Sequence, residues 1–269
     1  KVQNYMKKTI SIYGGGWVGA PLAFKLALAD MDVRVSASSV HPQAAHPKIS
    51  VIEFRAEPDM PAENWSSMND AEVQIWAIPP RRKKNSEETY LAILQEWVDN
   101  LSASSAKKLI FLSSTSVYLN VSDTVDENSG INDDSLMAKA EAIVSSSKIP
   151  TVILRLAGLM GGDRFVAKYF SGKRNDGANC PINYVHKDDV VALIALAAEK
   201  IDSGIFNIVA PIHPSKGDVG ENDIERRGMP VGYWDYSVTC LGGKVVSGDK
   251  ICHELKYEFR WPDPLQFPL

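Results

Sequence analysis

Thr9-Ile10-Ser11-Ile12-Tyr13-Gly14-Gly15-Gly16-Trp17-Val18-Gly19-Ala20-Pro21-Leu22-Ala23 is the stretch whose reading decides the fold. Ile10, Ile12 and Tyr13 make a short apolar strand, and Gly14, Gly16 and Gly19 follow at once. Val18, Leu22, Leu26 and Leu28 then continue at about helical spacing, which puts the glycines in a tight strand-to-helix turn. Gly14 permits the sharp bend, Gly16 lets the backbone approach a pyrophosphate, and Gly19 lets the helix pack closely on its strand. The N–H groups of the helix start, with Trp17 and Val18 at the two variable positions, then face the anion. The alternative is a glycine-rich turn without a ligand, and the strand before it and the helix after it weigh against that.

Composition sets the wider frame. With 269 residues, 45% hydrophobic and 23% charged, the chain can bury a large core as one α/β domain with a small satellite. A formal net charge of -4 gives no electrostatic reason to expect a nucleic-acid or anionic-membrane partner. Arg81-Arg82-Lys83-Lys84 reads as the solvated start of a helix. Cys180, Cys240 and Cys252 are too few and too scattered for a disulfide framework and suit a reducing compartment, so a cytoplasmic location is expected. Cys252 adjoins His253 with no further ligand at metal spacing, and a polar loop separates His41 from His46, so no metal site is expected. No apolar run reaches the ~18 residues of a membrane span, and the N-terminus lacks a signal-type apolar core. Met6 stands close before the first strand, so residues 1–6 are expected to include leader residues.

Residues 31–37 (MDVRVSA) form a second strand. An acidic side chain at its end would take the ribose hydroxyls of NAD. Here the end is Ser36-Ala37-Ser38-Ser39, and Asp32 lies at the wrong end. With no carboxylate to repel a 2′-phosphate, and hydroxyls at Ser38 and Ser39 to donate to one, NADP is expected over NAD, although no arginine immediately follows the strand. A third strand is expected at 50–55 and a fourth at 71–78, where Pro79-Pro80 stops the ladder and leaves Ile78 and Pro79 at the crevice. A helix at 86–98 buries Leu91, Leu94 and Val98, and a fifth strand at 107–112 runs into Ser113-Ser114-Thr115-Ser116-Val117-Tyr118. These hydroxyls either face the crevice where open α/β sheets bind ligands or cap a turn.

A polar loop with Asp123, Asp126 and Glu127 leads to a helix at 135–145, then to a sixth strand at 151–156 and a tight loop through Gly158, Gly161 and Gly162. A short helix is expected at 165–170. Asp188 or Asp189 caps a helix at 190–198, a seventh strand occupies 204–209, and a charged helix follows at 218–228. The pattern predicts an α/β protein with a Rossmann-type doubly wound parallel sheet. It forms a single domain, 1–269, with a small C-terminal substrate lobe drawn mainly from 158–185 and 211–269.

With these residues placed, the chain resembles the extended, atypical short-chain dehydrogenase/reductase superfamily of NAD-dependent epimerase/dehydratase-like proteins. The resemblance runs over nearly the whole chain and rests on the glycine turn and three further segments in order. These are Phe111-Leu112-Ser113-Ser114-Thr115-Ser116-Val117-Tyr118, Leu154-Arg155-Leu156-Ala157-Gly158-Leu159, and Tyr184-Val185-His186-Lys187-Asp188-Asp189-Val190 with Phe206-Asn207-Ile208 after it. It implies a Tyr-x-x-x-Lys pair on one helix, in which the lysine holds the nicotinamide ribose and lowers the phenol pKa. Lys139 matches the lysine, but Ser135 stands where the tyrosine belongs. Ser114 matches the family's serine, and Tyr118 just beyond it is a candidate proton donor from another direction. Tyr169 and Lys173 repeat the spacing by coincidence, and the serine-hydrolase alternative lacks its Gly-x-Ser-x-Gly elbow.

The resemblance therefore implies an NAD(P)-dependent oxidoreductase or epimerase of a small hydroxylated or sugar-nucleotide-like substrate with an altered proton donor, or else a non-catalytic dinucleotide sensor. A small molecule is the expected partner, with no nucleic acid and no membrane. A homodimer is also implied, with Leu136, Met137 and the helix at 86–98 as candidate contacts.

Overall fold

Apolar strands alternating with one-sided helices build the larger part of the chain. The computed structural model describes residues 8–38, 46–80, 86–238, 240 and 242–269. The expectations at residues 1–6, Ser39, His41 and the basic run 81–84 lie outside the described residues.

The elements run β1 (Thr9–Tyr13), α1 (Gly19–Leu28), β2 (Asp32–Ala37), β3 (Ile49–Glu53), α2 (Ala62–Asn69), β4 (Val73–Trp76), α3 (Glu87–Leu101), β5 (Lys108–Ser114) and β6 (Thr124–Val125). They continue with α4 (Leu136–Ser145), β7 (Thr151–Leu156), β8 (Gly158–Met160), α5 (Ala167–Phe170), β9 (Arg174–Asp176), β10 (Tyr184–His186) and α6 (Lys187–Lys200). The last are β11 (Gly204–Ile208), α7 (Lys216–Arg226), β12 (Tyr233–Asp235), β13 (Val245–Val246) and α8 (Asp249–Leu255). A seven-stranded sheet has the order β11-β7-β5-β4-β1-β2-β3. Its registers are parallel, with Ile10 opposite Val33, Tyr13 opposite Trp76, Ala37 opposite Glu53 and Trp76 opposite Phe111. Strand order reverses between β1 and β4, the switch point at which doubly wound sheets open a crevice.

Two compact units divide the chain. The first comprises Lys1–Ser113, Asp133–Leu154 and Ile194–Ile205, and the second Ser114–Asn132, Arg155–Leu193 and Phe206–Leu269. In the first, β4 is buried at all four positions, as a strand covered on both faces must be. Ser86 caps α3 by accepting from the Thr89 N–H, and Tyr90, Ile93, Leu94, Trp97, Val98 and Leu101 repeat at three- and four-residue spacing on its buried face. The core gathers round Tyr13, whose ring lies 5.6 Å from Phe54, 6.2 Å from Trp65, 5.6 Å from Trp76 and 5.7 Å from Trp97. Each such pair adds about 0.5–1.5 kcal/mol beyond its area. Helix α2, which the sequence reading passed over, delivers Trp65 and Met68, both fully buried.

The second unit carries three short parallel ladders, β10 with β8, β12 with β9, and β13 with β6. Its apolar centre is Met160, Val166, Ile182, Ala210, Val219 and Phe267. No helix among the described residues is long and apolar enough to cross a membrane.

Several expectations are corrected. Asp188 and Asp189 do not cap a helix at 190, because α6 already begins at Lys187. Asp189 is instead buried and accepts from the Tyr257 hydroxyl at 2.7 Å and from the N–H groups of Arg260 at 2.7 Å and Trp261 at 3.1 Å, which ties the C-terminal tail to α6. Cys180 and Cys240 are not free but joined by a disulfide, because the fold brings residues 60 apart in sequence to a Cα–Cα distance of 5.2 Å. Leu28 faces outward, 64% exposed, because its position on α1 points away from the sheet. Leu136 and Met137 are interior rather than candidate dimer contacts.

Candidate functional site

The glycine turn lies in the first unit, where β1 and β4 end side by side. Gly14 has φ +106°, and a Cβ there would stand 3.0 Å from the Ala77 carbonyl carbon. A Cβ on Gly15 would be 2.8 Å from the Ser36 carbonyl oxygen, and one on Gly19 would be 2.0 Å from the Gly14 oxygen, so α1 starts directly against the turn. A Cβ on Gly16 would meet nothing within 4 Å. Three of the four glycines are therefore demanded by the protein's own backbone, whereas Gly16 faces open space.

Ser36 holds the turn from β2. Its buried hydroxyl accepts from the Gly14 N–H at 2.8 Å, and its carbonyl accepts from the Gly15 N–H at 2.7 Å. Sequence reasoning missed both Gly15 and Ser36; the available signal was a polar residue inside a buried strand. At the start of α1, Val18 supplies no side-chain cap and the first turn holds no acidic residue, so no carboxylate competes for an anion there. Trp17 is half-buried beside it, and Ser38 is exposed just past β2. The Ile78 carbonyl accepts from Trp76 Nε1 at 3.1 Å and from the Tyr90 hydroxyl at 3.2 Å, which fixes the chain into Pro79. Burial drives the Tyr13 and Tyr90 phenols far above their ordinary range, so both stay neutral donors.

Helix α4 belongs to the same unit. Ser135 is its N-cap, accepting from the Ala138 N–H at 3.2 Å, and Lys139 lies exposed one turn on. Glu88 at the start of α3 has its carboxyl held below the usual range, first by its own N–H, then by Ser86, with the Lys139 charge adding to the effect. The Ser113 hydroxyl donates to the buried Glu141 carboxylate on α4, a pairing that sequence reasoning also missed.

In the second unit Ser114 is half-buried, and its hydroxyl accepts from the Ser116 N–H at 3.1 Å, opening a single 3-10 turn at Thr115–Val117. Tyr118, 2% exposed, donates its hydroxyl to Asn207 Oδ1 at 2.7 Å, while the Arg155 guanidinium lies 4.9 Å from its ring centre. Burial raises this phenol, and Arg155 and Asn207 oppose the rise. Asn207 also donates its N–H to Glu127 at 2.7 Å and its side-chain amide to the Ser247 carbonyl at 2.9 Å, so the Tyr118 hydroxyl ends a satisfied buried network. His186 is buried against Trp261 and Phe267, its Nδ1 accepting from the Asp188 N–H at 3.3 Å, and burial lowers its pKa. Among the described residues no three His, Cys, Asp or Glu side chains are placed to hold a metal ion.

No family model matches the chain. Protein YeeZ of Escherichia coli strain K12 is 32% identical over 272 residues, covering 97% of this chain and 99% of that one. Among solved structures, the Bordetella bronchiseptica enzyme WbmG in complex with NAD and UDP superposes with a TM-score of 0.78 at 18% identity, over 98% of this chain and 94% of that one. The UDP-glucuronic acid 4-epimerase of Bacillus cereus in complex with NAD gives a TM-score of 0.77 at 16% identity, over 96% of each chain. This chain belongs to the YeeZ family and carries the fold of the extended short-chain dehydrogenase/reductase, epimerase/dehydratase-like superfamily.

Proposed function

We propose that the chain binds a nicotinamide dinucleotide over the turn at residues 14–19 and acts as an oxidoreductase or epimerase on a small hydroxylated, sugar-nucleotide-like substrate. The observation that carries this is steric: Gly16 is the glycine that the protein itself does not require, and it opens onto the start of a helix without a capping side chain. A pyrophosphate fits there, met by main-chain donors. Ser38 would hold the adenosine ribose and Lys139 the nicotinamide ribose, while Ile78 and Pro79 would wall the crevice. Ser114, in the second unit, would be the hydroxyl that contacts a hydroxylated substrate. The nicotinamide supplies hydride exchange when bound.

NADP remains the preferred form in this reading, because the described end of β2 offers Ser38 and no carboxylate. Glu53, opposite Ala37 in register, is the acidic side chain that a 2′-phosphate must avoid. WbmG and the Bacillus cereus epimerase were solved with NAD, so the two forms need direct comparison.

A second reading, a dinucleotide sensor without redox chemistry, is favoured by one observation. Ser135, where the resemblance places the catalytic tyrosine, spends its hydroxyl on capping α4. A phenol of lowered pKa is then missing from the pair with Lys139, a loss of about 10²–10⁴ in rate if proton transfer depends on it.

Calorimetric titration with NAD and NADP, followed by hydride-transfer assays on a panel of UDP-sugars, tests both readings. Uptake with turnover supports the enzyme, uptake without turnover supports the sensor, and no uptake at millimolar dinucleotide removes both. Tighter NAD than NADP binding removes the NADP preference alone.

A further inference from the structure

We propose that the Cys180–Cys240 bridge is a thiol–disulfide exchange site that latches the strap at residues 231–238 of the second unit, closed when oxidised and opened by a small dithiol. The Cys180 side is rigid. Its carbonyl accepts from the Lys216 N–H at 2.7 Å, its own N–H donates to Gly177 at 3.0 Å, and Ile182 N–H donates to Pro214 at 3.0 Å. Room for the sulfurs is built in, since a Cβ on Gly243 would lie 2.4 Å from Cys240 Sγ and one on Gly177 3.1 Å from Cys180 Sγ. Both cysteines are half-buried, within reach of a small reductant.

The strap's large apolar side chains are mostly outside the core. Val231 is 83% exposed, Tyr233 61%, Tyr236 44% and Val238 42%, so little apolar surface is removed from water along it. Trp234 seats on Gly220, where a Cβ would stand 2.0 Å from the indole, and faces Phe170 at 5.4 Å. Tyr233–Asp235 also pairs with Arg174–Asp176 as a three-residue ladder of β12 on β9, the Tyr233 N–H donating to the Lys173 carbonyl at 2.9 Å and the Ala178 N–H to the Asp235 carbonyl at 3.1 Å. The side-chain ties are polar and near solvent: Arg174 with Asp235 at 2.7 Å, Asn179 with the Tyr236 carbonyl at 2.6 Å, and the Tyr236 hydroxyl with Glu221 at 3.0 Å. Contacts of this kind hold weakly, and segments with few buried contacts open first. The ladder is short and lies at 233–235, so the covalent bridge at Cys240 is the restraint that closes the strap's C-terminal end beyond it.

Opening proceeds by exchange. A thiolate of the dithiol attacks one bridge sulfur, the protein S–S bond breaks and a mixed disulfide forms; the second reductant thiol resolves it. The products are two protein thiols and the oxidised dithiol, with two electrons and two protons transferred to the protein. Cys252 is a poor competitor, because burial, then Asp249 and Asp189, raise its thiol above the usual range.

The test is hydrogen exchange by mass spectrometry on the full chain, with and without dithiothreitol, alongside thiol counting. Without reductant, denatured protein should take up one alkylating group, on Cys252, and after reduction three. Reduction should speed exchange about tenfold or more in peptides spanning 229–246 while leaving peptides at 9–28 unchanged, and Cys180→Ser should reproduce this without reductant. Reduced wild type carries the same information if that variant folds poorly. Three free thiols without reductant, unchanged exchange at 229–246, or a rise throughout the second unit would each overturn the proposal.

Discussion

Gly16 and Gly19 stand three residues apart with opposite surroundings, so alanine separates binding from folding at the two positions. Gly16→Ala adds a methyl to open space and should keep stability within about 0.5 kcal/mol of wild type in urea melts. The same variant should weaken calorimetric dinucleotide binding about tenfold or more, equivalent to ~1.4 kcal/mol, by crowding the pyrophosphate. Gly19→Ala forces a carbon against the Gly14 oxygen and should cost ~1–3 kcal/mol or more of stability before any ligand is added. Equal losses of stability at both positions would contradict the steric assignment. The glycine spacing was legible in the sequence because local chemistry sets it. Gly15 and Ser36 were not, because their contact joins two strands that are neighbours only once β1 and β2 pair.

At the level of elements, helix ends carry the clearest expectations. Ser135→Ala removes the α4 cap and should destabilise the chain by ~1 kcal/mol in chemical denaturation while leaving dinucleotide affinity unchanged. Asp189→Ala strips the acceptor from Tyr257, Arg260 and Trp261 at once. A loss of ~3 kcal/mol or more is expected, with faster hydrogen exchange across 257–269. The strands at the glycine turn, at 107–112 and at 151–156 could be read directly, since buried parallel strands are apolar throughout. Helix α2 escaped notice because only Trp65 and Met68 mark its buried face, after Pro61, in an otherwise polar run. The disulfide escaped for another reason: spacing in sequence says nothing about which loops the fold makes adjacent.

For the molecule as a whole, a contribution to acid stability follows from two desolvated histidines, the buried His186 and the half-buried His213. Burial lowers the pKa of both His186 and His213. The unfolded chain therefore binds protons that the folded chain resists as pH falls through the unfolded histidine value near ~6.5. Their contribution is present above that pH and is lost below it, so urea midpoints should fall between about pH 7 and pH 5. A variant with both histidines replaced by asparagine should show a flatter profile over that window.

The aromatic nest around Tyr13 has an optical corollary. Trp65, Trp76 and Trp97 crowd the residue that immediately precedes Gly14, and their near-ultraviolet emission overlaps the absorption band of a reduced nicotinamide but not of an oxidised one. Reduced dinucleotide seated on the turn should dim the indole glow by energy transfer and the oxidised form should leave it bright, giving the protein its own lamp for reporting the redox state of whatever it holds.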